Sequence, residues 1–201
     1  MATVLPMDVG FGVRTLTVAP PLSNEELERL CSVNDGVRIE RRNDGVLIMN
    51  PPMGLQSGDG NAEIIAQLRT WWKDNGRLGR VYTNESGFYL PDGSMLAPDA
   101  AYLTAAQYEA VKTITGFPSI CPAFVIELLS KSDNRSILEA KMLAWVANGA
   151  LEAWLVDPYA RQVVIYNPAN KRVERTQNVR GSGPVEGFIL DTHQVWDCFP
   201  F

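Results

Sequence analysis

Apolar and polar positions along the chain change period several times, and each change marks an element. Phe124 to Leu129 is a short unbroken run of β-formers, the mark of a strand buried on both faces. Beyond the polar stretch Lys131–Arg135, Ser136-Ile-Leu-Glu139 has the form of a capping box and Asn148-Gly149 supplies a C-terminal stop. Trp154 to Val156 is β-rich again, so residues 123–158 parse as strand, helix, strand. In the helix, Ile137, Lys141, Ala144 and Asn148 share a face, while Met142, Leu143 and Val146 make the other side apolar too. That pattern predicts a largely buried helix.

Upstream, Val13 to Val18 is strand-like and Pro20-Pro21 ends it. Ser23-Asn24 followed by Glu25 and Glu26 opens a helix over Asn24–Val33, since acids favour the first turn. Val37–Arg42 and Val46–Asn50 flank Asn43-Asp44-Gly45, a strong hairpin signal. Gly58-Asp59-Gly60-Asn61 leads into a helix ending at Asn75-Gly76, with Ile64, Ile65, Leu68, Trp71 and Trp72 as its buried stripe. Val81–Leu90 reads as one strand, and Met95–Leu103 as another with Pro98-Asp99 inside it. Proline cannot donate to a ladder, so Pro98 marks a strand start, bulge or edge. Thr104–Val111 reads as a short helix, Val163–Tyr166 and Val173–Gln177 as strands, Gly181–Pro184 as a loop and Thr192–Trp196 as a last helix. The order predicts an α/β (α+β) fold: a mixed central sheet flanked by helices, with additional antiparallel hairpins. Residues 1–21 read as an N-terminal arm and 22–201 as a single domain, a size at which one core is expected.

Composition narrows the class. Hydrophobic residues at 46% and charged residues at 20% are ordinary globular values. Cys31, Cys121 and Cys198 are far apart and odd in number, with no C-x-x-C, so three free thiols in a reducing compartment are expected. The first residues carry Asp8 and no basic-then-apolar leader pattern, and no run approaches the roughly 18 apolar residues of a membrane span. The expectation is a cytoplasmic protein with no membrane partner. A net charge of −5 is unlike a free-standing DNA binder, in which phosphate contacts dominate affinity. If nucleic acid is the partner, a local basic patch and metal ions must offset the acids. Arg38, Arg41 and Arg42 form one basic cluster; Arg69, Lys73, Arg77 and Arg80 form a second that reads as an ordinary solvated face.

The chemistry centres on Glu127. An unpaired ionised carboxylate in a strand buried on both faces costs several kcal/mol or is forced to protonate. Glu127 therefore needs a cation, a metal or water, and Lys141 is the nearest cation on the following helix. Asp99 stands where another strand begins. Paired carboxylates at a sheet end suit magnesium, which takes oxygen ligands, keeps several waters and lowers the pKa of a bound water. A nearby lysine can orient that water or stabilise developing negative charge. The competing reading is structural: Asp99 caps a turn and Glu127 pairs with Lys141. His193, the only histidine, reads as structural, and Ser130 lacks the G-x-S-x-G context of a hydrolase serine. The five tryptophans sit at core-like positions.

Pro98-Asp99, then Val-Ile-Glu127-Leu-Leu-Ser130, then Lys141 ahead of Asn148-Gly149-Ala150, then Trp154-Leu-Val-Asp157-Pro158 resemble the Uma-two (Uma2) family of restriction endonucleases, assigned to the PD-(D/E)XK nuclease superfamily. The likeness runs over roughly residues 22–198 and takes in the Asp44-Gly45 hairpin, Asn50-Pro51-Pro52, Gly87-Phe88 and Phe188-Ile-Leu-Asp191. It implies a restriction-endonuclease-like sheet and a magnesium-dependent endodeoxyribonuclease, with manganese as a substitute ion and DNA as partner. It maps the metal ligands to Asp99, Glu127 and the carbonyl of Leu128, and the catalytic set to Asp99, Glu127 and Lys141. A homodimer follows from the need to cut two strands. The superfamily lysine belongs two residues after the glutamate, where this chain has Leu129; Lys141 is the migrated counterpart. Accessory acids are Glu63 and, as its rival, Glu40, each otherwise a surface acid. The alternative is a nuclease-fold binding or regulatory module without hydrolysis.

Overall fold

The computed structural model describes residues 14–34 and 36–200. The first half holds β1 (Arg14–Leu16), α1 (Asn24–Val33), β2 (Arg38–Arg41), β3 (Leu47–Asn50), α2 (Leu55–Asp74), β4 (Arg80–Thr83), β5 (Phe88–Tyr89) and β6 (Met95–Leu96). The second half holds β7 (Ala100–Leu103), α3 (Ala105–Val111), β8 (Phe124–Leu128), α4 (Arg135–Ala147), β9 (Glu152–Asp157) and β10 (Gln162–Tyr166). It ends with β11 (Lys171–Glu174), β12 (Asn178–Arg180), a 3-10 turn (Gly183–Val185), β13 (Ile189–Asp191) and α5 (Thr192–Asp197).

Six strands form the central sheet in the order β11-β10-β9-β8-β7-β4. Only β8 and β9 pair in parallel; the other neighbours are antiparallel. A parallel pair needs a crossover, and α4 is that crossover. Period-two alternation sorts β8 between two cores. Phe124, Ile126 and Leu128 face α2 and the C-terminal segment, against Ile64, Leu68, Trp72, Val195 and Phe199. Val125 and Leu129 face the other side, against Met142 and Trp145 of α4 and Val111 of α3. Each fully buried Leu, Ile, Val or Phe here contributes on the order of 1.5–3 kcal/mol.

A second sheet, ordered β1-β3-β2-β6-β5, packs Ile39, Leu47 and Met95 against Leu27 of α1. β12 and β13 form a separate two-stranded ribbon. The mixed sheet, flanking helices and hairpins expected from the pattern are therefore all present.

Several boundaries differ. The expected strand Val13–Val18 narrows to β1, and Val13 lies outside the described residues. Val81–Leu90 is two strands in different sheets, because a turn at Thr83–Ser86 lifts the chain from the central sheet to the second one. α2 begins at Leu55 rather than Gly58, so Gly58 and Gly60 are helical. Gly60 is there for packing: a Cβ on it would stand 2.6 Å from the Phe199 ring. α4 is capped by Asn134, whose side chain accepts from the amides of Ser136 and Ile137, so the expected Ser136 box does not form. Glu139 instead receives Arg135. Nor is α4 largely buried, since Ile137 and Leu143 are 57% and 59% exposed.

Candidate active site

Pro98 does what its chemistry dictates. β6 ends at Leu96 in one sheet and β7 starts at Ala100 in the other, so Ala97-Pro98-Asp99 is the hinge between them. Asp99 is buried there. Its Oδ2 accepts from the Leu128 amide at 2.8 Å, and its Oδ1 accepts from Arg38 Nη1 at 3.1 Å. The register pairs Ala100 with Ile126. Alternation then puts Asp99 and Glu127 on the same face of neighbouring strands, the face that α4 covers.

Glu127 is 2% exposed. Its Oε1 accepts from Trp145 Nε1 at 3.0 Å and lies 2.8 Å from Lys141 Nζ. Lys141 and Trp145 stand four residues apart on α4, hence side by side on one helix face. Lys141 Nζ also donates to Glu40 Oε1 at 2.8 Å and to the Ala97 carbonyl at 3.0 Å. Glu40 Oε1 accepts from the Ala97 amide as well, at 2.9 Å. The ammonium thus makes two hydrogen bonds, to Glu40 and to the Ala97 carbonyl, and an ion pair with Glu127.

Three carboxylates (Glu40, Asp99, Glu127) thus face two cations (Arg38, Lys141) in a nearly dry setting. Burial pushes Glu127 up to about 7; Lys141 opposes the shift, while Asp99 and Glu40 reinforce it. Burial also works against charge on Glu40, but Lys141 and Arg38 outweigh it and hold that carboxyl below its ordinary value. For Lys141, burial is outweighed by Glu127 and Glu40, which hold the amine above its ordinary value.

This cluster lines one side of a groove of about 1440 Å³, with Leu128 beside it. Among the described residues, Oε2 of Glu40 and of Glu127 accepts no hydrogen bond. In an extended strand the N–H and C=O of one residue leave on the same side. The Leu128 carbonyl therefore leaves β8 toward Asp99, where its amide already points.

The donors here suit a hard cation. They are carboxylate and carbonyl oxygens on a groove wall, one carboxylate is kept from full ionisation, and negative groups outnumber positive ones. Among the described residues, no group of three or more His, Cys, Asp or Glu side chains is arranged to hold a metal ion.

The structure brings Asp99, Glu127, Leu128, Lys141 and Glu40 together. Glu40 is buried, so its reading as a surface acid fails: β2 turns it toward Lys141 rather than to solvent. Glu63 does not join. It is half-buried on α2, accepts from Gln67 at 2.8 Å and is absent from the groove lining. Leu129 is buried in the core beneath α4, and the Lys141 amine reaches Glu127 from that helix.

Sequence reasoning missed Trp145 as a ligand of Glu127 and Arg38 as the partner of Asp99. The four-residue spacing from Lys141 was the available signal for Trp145. Arg38 left no local signal, because its partner lies 61 residues away. Arg41 belongs to the scaffold, bonded to Gly93, Leu22 and Asn24. In the second basic cluster, Arg69, Arg77 and Arg80 stack over Trp72 at 4.5, 5.8 and 5.4 Å. His193 is exposed on α5, 3.6 Å from Asp197. Among the described residues, no helix is long and apolar enough to cross a membrane.

A mixed central sheet flanked by helices on this plan is a restriction-endonuclease-like α/β fold. The chain matches the Uma2 family, described as "Putative restriction endonuclease", over residues 24–192, and it belongs to that family. A crystal structure of a "putative nuclease belonging to DUF820" from Anabaena variabilis is similar in fold, with a TM-score of 0.72 at 17% identity. The alignment covers 89% of this chain and 99% of that one. No curated protein matches the chain.

Proposed function

We propose that the protein is a magnesium-dependent DNA endonuclease that hydrolyses phosphodiester bonds at the Asp99–Glu127–Lys141 pocket. The observation that carries this reading is the convergence of the two acids on one face of adjacent strands, joined through the Leu128 amide, beside a wide groove. Asp99, Glu127 and the Leu128 carbonyl would hold the ion. Bound there, magnesium (or manganese) would polarise the phosphoryl oxygen and lower the pKa of a bound water.

The chain's own residues supply the rest. Trp145 and Lys141 fix the Glu127 carboxylate from α4, so that its Oε2 faces away from both donors. Glu40 and the Ala97 carbonyl fix the Lys141 amine in turn. With the Glu127 carboxylate turned to a bound cation, the Lys141 ammonium, still protonated, would present an N–H to the groove. There it can orient the attacking water or meet charge on the phosphate. Two such pockets in a homodimer would serve the two strands of a duplex. The three free thiols suit a reducing cytoplasm.

One observation favours the second reading, a binding or regulatory module without hydrolysis: the Lys141 amine is already engaged by Glu40, the Ala97 carbonyl and Glu127. Incubation of the pure protein with plasmid and single-stranded DNA, under magnesium, manganese or chelator, separates the two. Chelator-sensitive cleavage that disappears in Asp99→Ala supports the nuclease. Intact plasmid over a broad range of metal and pH leaves the module.

A further inference from the structure

Arg38 and Arg41 lie on the same short strand and are used in opposite ways. Arg41 is 7% exposed, and its three nitrogens all donate to protein acceptors. Arg38 has one hydrogen-bonded contact among the described residues, from Nη1 to Asp99 Oδ1. A guanidinium carries five donors in a planar fork, so most of the Arg38 fork has no acceptor among the described residues. Its side chain is 27% exposed against 7% for Asp99, and it lines the groove. A planar fork with unspent donors on a groove wall matches the oxygens of a phosphate, which guanidinium binds in bidentate fashion.

The one contact Arg38 does make falls on an oxygen the metal requires. Asp99 Oδ2 is held by the Leu128 amide, which leaves Oδ1 as the outward ligand atom, and Arg38 is on it. A divalent ion and a guanidinium cannot share that oxygen without mutual repulsion.

We infer that Arg38 is a substrate-phosphate ligand that doubles as a latch on the metal position: in the free chain it holds Asp99 Oδ1, and a nucleic-acid phosphate entering the groove draws the guanidinium away and frees the carboxylate. The inference rests on the metal-site reading above. Its consequence is reciprocal coupling, in which duplex tightens metal binding and metal tightens duplex binding by the same factor. The metal is then retained chiefly when substrate is present.

The test is Mn²⁺ binding to the full chain, read by calorimetry and by loss of the free-ion paramagnetic signal. It is run with and without a hydrolysis-resistant phosphorothioate duplex. Wild type should bind Mn²⁺ about tenfold more tightly with duplex present, within the usual range of such couplings. Arg38→Gln should bind about tenfold more tightly than wild type without duplex, and duplex should then add little. Arg38→Lys keeps a point charge beside Asp99 but loses the fork, so it should bind weakly in both conditions; it also controls for folding. Asp99→Asn should bind weakly throughout. If wild type binds and Asp99→Asn does not, yet Arg38→Gln matches wild type in both conditions, the latch is wrong and the metal site stands. If neither wild type nor Arg38→Gln binds Mn²⁺ with duplex present, the metal site falls and the latch with it.

Discussion

Asp99 Oδ2 accepts a hydrogen bond from the Leu128 amide at 2.8 Å, which ties the acid at the start of β7 to the backbone one residue past the acid of β8. Through this bond the two carboxylates are placed by the sheet itself rather than by loops. The bond also separates two kinds of damage at Asp99. Asparagine can still accept from Leu128 but loses the ion pair with Arg38, whereas alanine loses both and strands a buried amide. Asp99→Asn should therefore cost less stability than Asp99→Ala, with the alanine variant down by about 1–3 kcal/mol. Urea unfolding of the two variants measures this, and equal losses would mean that the Leu128 bond contributes nothing.

Lys141 carries more of the fold than a surface lysine does. Its side chain is 12% exposed, and it neutralises Glu40 and Glu127, at 3% and 2%. Removing one partner of a buried ion pair leaves an uncompensated charge, at a cost of about 3–5 kcal/mol. Lys141→Met should fall in that range. Adding Glu127→Gln should recover part of the loss, because one stranded charge is removed with it. A double-mutant cycle by chemical denaturation reads the coupling, and additive losses would show that the three groups do not act as a unit.

Glu127 gives the site a pH signature of known sign. Its carboxyl is pushed up to about 7 from an ordinary value of 4.5, chiefly by burial. A raised pKa means that the folded state favours the protonated form. Its stabilising contribution is full below about pH 4.5 and is lost as pH rises through about 7. Glu40, held below its ordinary value, runs the other way and loses its contribution only on acidification. Glu127→Gln removes the first slope and keeps the second. Melting temperatures of wild type should thus fall relative to Glu127→Gln between pH 4.5 and 7. Parallel melting curves over that window would refute the assignment.

What could be read from the residues divides along a physical line. The Glu127 strand, the Asp44-Gly45 turn and the Pro98 break rest on short-range periodicity and turn chemistry and appear where the pattern puts them, and the helix after Glu127 is present with a different cap and a wetter face. The need of Glu127 for a cation was legible because a charge inside an apolar strand is a local contradiction. The Arg38–Asp99 and Glu40–Lys141 pairs were not legible. They join residues 61 and 101 positions apart, and depend on how the second sheet docks against the first. A buried acid on a short hairpin looks the same in sequence as a solvated one. The early start of α2 was hidden for another reason, since glycines normally argue against a helix and Gly58 and Gly60 lie inside this one.

Gly60 gives that last point a measurable form. By helix propensity alone, Gly60→Ala should stabilise α2 by about 1 kcal/mol. The structure predicts the opposite sign. The added Cβ would stand 2.6 Å from Phe199 Cε2 and 3.2 Å from Leu128 Cδ2, and the Phe199 ring is fully buried. Relief would require moving the C-terminal segment off α2 or shifting Leu128, and overpacking of this kind costs about 1–3 kcal/mol. Because Leu128 also donates to Asp99, the strain reaches the candidate site. Gly60→Ala should lower the melting temperature, and the double variant with Phe199→Leu should restore part of it by making room for the methyl. A stabilised Gly60→Ala protein would mean that α2 and the C-terminal segment are not packed this closely.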